Sequence, residues 1–236
     1  METAGTSRFL NAFYAIEAHL EKASARGRPL NRHRDTFYEL LDSAKDDPAV
    51  RLFQADLKEY ADLRNAIVHE RKGGFPIAEP HPDTIDSIEH ILKQLTSPPK
   101  LMPRFRKKVE ICSPRDPIRT PARMMHDHNF SQLPVYDEQY VALLTSETIA
   151  RWLGVSVGED DIVIGAAVAR VLREAEDSDN CVLMSAGSTT YEAKERFDDY
   201  QSRGKWLDAI LITQNGRKSE KPLGIVTIFD YPLLGD

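Results

Sequence analysis

After Pro98-Pro99 the chain sets down one order of elements twice. In the first copy KKVEIC (107–112) predicts a strand, and ARMMHDH (122–128) predicts a helix. SQLPVYD (131–137) and YVALLT (140–145) follow as two short strands, and SETIARWLG (146–154) as a helix. In the second copy CVLMSAG (181–187) reads as a strand, TTYEAKERFDDYQSRG (189–204) as a helix, and LDAILIT (207–213) and PLGIVT (222–227) as strands before a short tail, IFDYPLL. Alternation of strands and helices requires an α/β unit. Its recurrence about 75 residues on points to an internal duplication. Between the copies, residues 161–176 predict a further helix.

The first hundred residues follow a different period. Phe9, Leu10, Phe13, Ile16 and Leu20 recur at the three-to-four spacing of a helical apolar face, predicting a helix over 5–25. A second helix is expected over 34–45. A third over about 48–71 starts at Asp47-Pro48 and stops before Gly73-Gly74, and a fourth spans 84–95. No strand pattern is visible there, so this part reads as a small antiparallel bundle. The fold class expected is α plus α/β: a helical bundle over 1–100, then a duplicated unit over 101–236.

Composition removes several functions. The net charge of −6 in 236 residues gives no overall attraction to nucleic acid or anionic membrane, so any such contact must be local. No apolar run reaches the roughly 18 residues of a membrane span, and the N-terminus lacks a signal peptide's apolar core. A cytoplasmic location is expected. Cys112 and Cys181 are far apart and fit no metal spacing, so two reduced thiols are expected. His126 and His128, two apart on a helix, point away from each other. No phosphate-binding glycine loop or nucleophile elbow is present.

The stretch LRNAIVHER (63–71) raises a conflict on the third helix. On a wheel of about 100° per residue, Arg64 falls inside the apolar stripe of Phe53, Leu57, Tyr60, Leu63 and Ile67. Asn65 and His69 form an i, i+4 pair on the flank. A buried unpaired charge is costly. Arg64 must therefore snorkel, pair with Glu59, Asp62 or Glu39, or line a polar cleft between two chains. His69, near the helix C-terminus, is expected to be favoured in its protonated form by the helix dipole.

Two resemblances follow from these residues. TPARMMHDHNFSQLPVYDEQYVALLTSETIARWL and TTYEAKERFDDYQSRGKWLDAILITQNGRKSEKPLGIVTIFD resemble a tandem of CBS domains (the cystathionine-β-synthase type), the first motif over about 104–155, the linker helix and second motif over 156–236. The resemblance implies a pair of modules binding an adenosine nucleotide such as ATP or AMP as a regulatory ligand. By that resemblance Thr227 and Asp230 of GIVTIFD hold the ribose hydroxyls, and the backbone of Ile225 or Val226 takes the base edge. Arg119 and Arg123 are candidate phosphate contacts. The first copy has Thr145-Ser146-Glu147-Thr148, with Thr148 where an aspartate is expected, so one competent cleft is expected. Arg64, Asn65 and His69 on a bundle helix resemble the R-x4-6-H motif of HEPN domains. That resemblance implies a metal-independent endoribonuclease acting as a homodimer on RNA. His69 would serve as general acid/base, Arg64 as stabiliser of phosphate charge and Asn65 as an orienting residue, with Arg71 and Lys72 adding positive charge. The alternative is a non-catalytic, nucleotide-sensing dimeric scaffold.

Overall fold

In the computed structural model, residues 3–24, 36–69, 71–72, 75–156, 165–176 and 179–235 are described, without side chains at 71–76. The chain divides into two compact units, Met1–Pro99 and Lys100–Asp236.

In the first unit, α1 (Ala4–Ser24) buries Phe9, Phe13, Ile16 and Leu20 completely or nearly so, as its spacing predicts. Thr36 and Glu39 form a reciprocal capping box that opens α2 (Phe37–Ser43). Asp47 accepts the Ala49 amide at 2.8 Å and starts α3 (Pro48–Leu52) with proline at its first turn. The single helix expected over 48–71 is interrupted. Phe53 stands at φ −98° and ψ 12°, and α4 (Gln54–Val68) continues beyond it. The Leu57 amide still donates to the Phe53 carbonyl at 3.0 Å, so the break is a kink rather than a separation. α4 also ends three residues early, because Arg71–Lys72 (β1) pairs antiparallel with Phe75–Pro76 (β2). Two-residue strands are too short to show the alternation by which strands are recognised in sequence. α5 (Pro82–Thr96) buries Ile85, Ile88, Ile91 and Leu95 and packs chiefly against α1. Tyr60 ties α4 into this pair: its ring meets the Phe9 ring edge-on at 6.0 Å, and its hydroxyl bonds Ser87 at 2.8 Å.

The second unit begins with α6 (Leu101–Arg104) and α7 (Arg119–His128). β3 (Gln132–Tyr136) pairs antiparallel with β4 (Tyr140–Thr145), and α8 (Ser146–Ser156) follows directly. α9 (Val168–Val171) leads into a 3-10 turn, Leu172–Glu174. β5 (Cys181–Ser185), α10 (Thr190–Ser202), β6 (Ala209–Thr213) and β7 (Gly224–Thr227) complete the second copy. A 3-10 segment, Ile228–Leu234, follows them. β5 runs parallel to β6, and β6 antiparallel to β7.

The first copy has the same order, but its outer strand is reduced to one residue. Cys112 donates its amide to Pro134 (3.1 Å) and accepts from the Tyr136 amide (2.8 Å), a parallel bridge to Val135. The strand expected over 107–112 is thus absent except at Cys112, the one buried residue of that stretch. The helix expected over 161–176 is also corrected. Residues 161–164 lie outside the described residues. Ala166 and Val168 bond the segment around Pro114–Ile118 instead of a helix: the Ile118 amide donates to Ala166, and the Val168 amide to Asp116. Only from Val168 does the chain coil.

The loop between β6 and β7 is organised by one carboxylate. Glu220 accepts from Thr213 Oγ1 (2.9 Å), the Asn215 amide (2.7 Å) and Asn215 Nδ2 (2.6 Å). These donors, with the Arg217 amide, pull its carboxyl down to about 2 from an ordinary 4.5. A depressed carboxylate stabilises the fold above its unfolded value and loses that contribution as pH falls through its folded value. Glu220→Gln is therefore expected to lower the melting temperature by a few degrees at neutral pH. The gap to wild type should close between pH 4.5 and about 2, followed by circular dichroism at stepped pH.

Candidate functional site

The residues at the end of α4 converge. Arg64 Nη1 lies 2.9 Å from His69 Nε2 and 3.1 Å from Asn65 Oδ1. His69 is the C-terminal cap of α4, and its amide donates to the Asn65 carbonyl at 2.9 Å. Asn65 thus holds His69 through its backbone and the guanidinium through its side chain. Asn65 and His69 sit about one turn apart, so helical geometry brings them together, and the long side chain of Arg64 reaches across the rest. Asn65 and His69 are exposed, and Arg64 is half-buried.

Of the three readings for Arg64, pairing with a carboxylate is not seen among the described residues. Asp62 takes the Tyr38 hydroxyl at 2.6 Å, Glu39 is engaged by Thr36, and among the described residues no acid pairs with Arg64. Its Nε is buried without a hydrogen-bond partner, and its guanidinium packs over the Tyr14 ring at 5.6 Å from the centroid. Tyr14, on α1, escaped the sequence reading because only tertiary packing sets it against α4. The buried stripe itself is Leu57, Tyr60, Ala61 and Ile67, with Leu63 and Phe53 half-buried. A guanidinium N–H can only donate, so a hydrogen bond at this contact requires His69 Nε2 to accept. Such a nitrogen can take a proton. Arg71 and Lys72 lie on β1, and their side chains fall outside the described residues.

The second unit carries two clefts. One, of about 280 Å³, is lined by Lys107, Phe130, Gln132, Ile225, Thr227 and Phe229, among others. Lys107, Lys108, Val109 and Glu110, which pair with no strand, line its wall. Ile225 lines the cleft, whereas Val226 is fully buried in the core, as opposite faces of a strand require. Val226 therefore offers no side chain to the cleft. Asp230 stands behind Thr227: its Oδ2 accepts the Thr227 amide (2.8 Å) and hydroxyl (3.0 Å), and Lys107 Nζ approaches to 4.0 Å. Neither Arg119 nor Arg123 lines this cleft. Arg119 is exposed at the start of α7, and Arg123 faces Asp127 at 3.6 Å.

A second cleft, of about 570 Å³, lies at the matching place in the first copy, lined by Thr145, Glu147, Thr148, Arg151, Trp206 and Asp208, among others. Thr145 receives the Thr148 amide at 3.1 Å, repeating the Thr227–Asp230 turn with a hydroxyl in place of the carboxylate. The copies are stitched across this region: Gln132 Nε2 donates to the Asp208 carbonyl (3.2 Å), and the Tyr140 amide to Lys218 (2.8 Å). The two thiols take no part. Burial pushes both Cys112 and Cys181 up to about 12, so neither is a nucleophile at neutral pH. Among the described residues no cluster of His, Cys, Asp or Glu could hold a metal, and no helix is long and apolar enough to cross a membrane.

Residues 104–155 match the CBS domain family. No curated protein matches the chain. Similar solved structures include a CBS-domain containing protein from Agrobacterium tumefaciens, 19% identical, covering 55% of this chain and 84% of that one at a TM-score of 0.39. Another is a CBS domain-containing protein from Kribbella flavida, 12% identical, covering 56% and 94% at 0.43. A third is the CBS domain pair of protein MJ0100, solved with 5′-methylthioadenosine and S-adenosyl-L-methionine, 18% identical, covering 56% and 91% at 0.38. The chain thus contains a CBS domain at residues 104–155, preceded by a helical region.

Proposed function

We propose that the chain is a metal-independent endoribonuclease of HEPN type, regulated by an adenosine nucleotide bound to its C-terminal unit, a CBS pair. The observation that carries the catalytic half is the mutual contact of Arg64, Asn65 and His69 at an exposed helix end. In the free protein the guanidinium and imidazole occupy each other. A phosphodiester would draw Arg64 Nη1 to its own oxygens, because a charge-assisted bond to phosphate is stronger than one to a neutral ring nitrogen. That frees Nε2 to take the proton of the ribose 2′-hydroxyl. The 2′ oxygen then attacks phosphorus, the bond to the 5′ oxygen breaks, and solvent supplies the leaving oxygen's proton. The product is a 2′,3′-cyclic phosphate. A homodimer placing two such motifs together, in the cytoplasm, fits this reading.

The regulatory half rests on the cleft beside Thr227. Asp230 already accepts from Thr227 and retains a second oxygen for a ribose hydroxyl, and Lys107 at the wall suits a phosphate. The competing reading is a nucleotide-sensing scaffold without catalysis. One observation favours it: Arg64 Nη1 and His69 Nε2 bond each other, as in a purely structural helix cap.

His69→Ala separates the two. His69 is exposed, so its replacement should change stability by no more than about 0.5 kcal/mol. An enzyme should nevertheless lose cleavage of a single-stranded RNA in EDTA by at least about a hundredfold. Equal cleavage by wild type and variant, or none by wild type, would leave the scaffold. For the ligand, calorimetry with AMP and ATP should show Asp230→Ala weakening binding by about tenfold or more, the loss of a charge-assisted hydrogen bond. Unchanged affinity would remove Asp230 from the site.

A further inference from the structure

We infer that Tyr14 is a positioning residue of the Arg64–Asn65–His69 cluster: its ring is the seat that holds the Arg64 guanidinium against His69. The inference rests on the reading of that cluster as a site. Arg64 reaches His69 across most of the width of α4, through a side chain with four rotatable bonds. Hydrogen bonding alone does not fix it: among the described residues only Nη1 is engaged, and Nε is buried without a partner. No carboxylate among the described residues anchors it. What lies against the guanidinium is the Tyr14 ring, with Cζ 5.6 Å from its centroid. A planar cation over an aromatic face at that distance is attracted by the ring's charge distribution, and arginine's flat fork suits the stack.

The seat connects to the core. Tyr14 is 40% exposed, but its ring meets Phe13 edge-on at 6.2 Å and 81°. Phe13 is buried and lies 4.5 Å from the Phe37 ring. The position of the guanidinium is thereby referred to the core of the bundle through α1, an element that carries no other member of the cluster. The contact uses the ring face, so phenylalanine should serve as well as tyrosine, while alanine or leucine should not.

The test reads the His69 ring directly, in the full chain, by ¹⁵N-resolved NMR at about pH 8, above the ordinary imidazole range. Wild type and Tyr14→Phe should show Nε2 as an unprotonated acceptor and the proton on Nδ1. Tyr14→Ala and Arg64→Ala should both lose that preference and give the mixed tautomers of an unrestrained ring. Tyr14→Leu keeps apolar bulk and should behave as Tyr14→Ala, which guards against a variant that merely unfolds. In single-stranded RNA cleavage, Tyr14→Ala should lower kcat by about tenfold to a hundredfold with KM little changed, the cost of a misplaced group, and Tyr14→Phe should restore it. A His69 signature identical in wild type and Tyr14→Leu would overturn the inference. If wild type cleaves no RNA, the ribonuclease reading fails, while the tautomer comparison still decides the role of Tyr14.

Discussion

A guanidinium set among the apolar residues of α4 has to be answered by something, and the functional account depends on what answers it. A carboxylate would neutralise the charge and leave a structural ion pair. Here the partners are an imidazole nitrogen, an amide oxygen and an aromatic face. None of these partners carries a negative charge, so among the described residues nothing neutralises the positive charge of Arg64. The helix end that exposes His69 also exposes Asn65, so on the proposed reading a phosphate would meet cation, acceptor and amide together.

The second unit solves a different problem with the same economy of parts. Each copy ends its last strand in a threonine whose side chain receives the amide three residues on, turning the chain at once into a helical segment. Beside each turn a cleft opens. The copies differ where it matters for ligands. The turn after β7 has the Asp230 carboxylate, and its cleft has Lys107 and the largely exposed Phe229. The turn after β4 has only the Thr148 hydroxyl, and its cleft has Glu147 and Asp208 beside Arg151. The two clefts therefore differ in the charges they offer a ligand. Gln132 on the wall of one bonds the Asp208 backbone on the wall of the other.

Sequence alone reveals the elements whose pattern is long and regular. The three-to-four spacing in α1 and α5 matches their buried faces, and the strand–helix–strand–strand order of the second copy appears as read. The proximity of Arg64, Asn65 and His69 follows from helical geometry once the helix is granted. Features set by partners elsewhere in the chain are not visible in this way. The KKVEIC stretch looks like a strand, yet it lines a cleft and pairs only at Cys112. GAAVAR has the composition of a helix, yet its first residues bond the segment around Pro114–Ile118. Tyr14 carries no local mark at all, since its role comes from an element some fifty residues away.

The central claim is that one chain joins a ribonuclease centre to a nucleotide sensor. Its most direct test is the rate of RNA cleavage by the full chain in EDTA, with and without AMP or ATP, in wild type and in Asp230→Ala. The account predicts that nucleotide changes the wild-type rate and that Asp230→Ala needs about tenfold more nucleotide for the same change, because a ligand shifts an equilibrium only through its differential affinity for the two states. A wild-type rate identical with and without saturating nucleotide would contradict it.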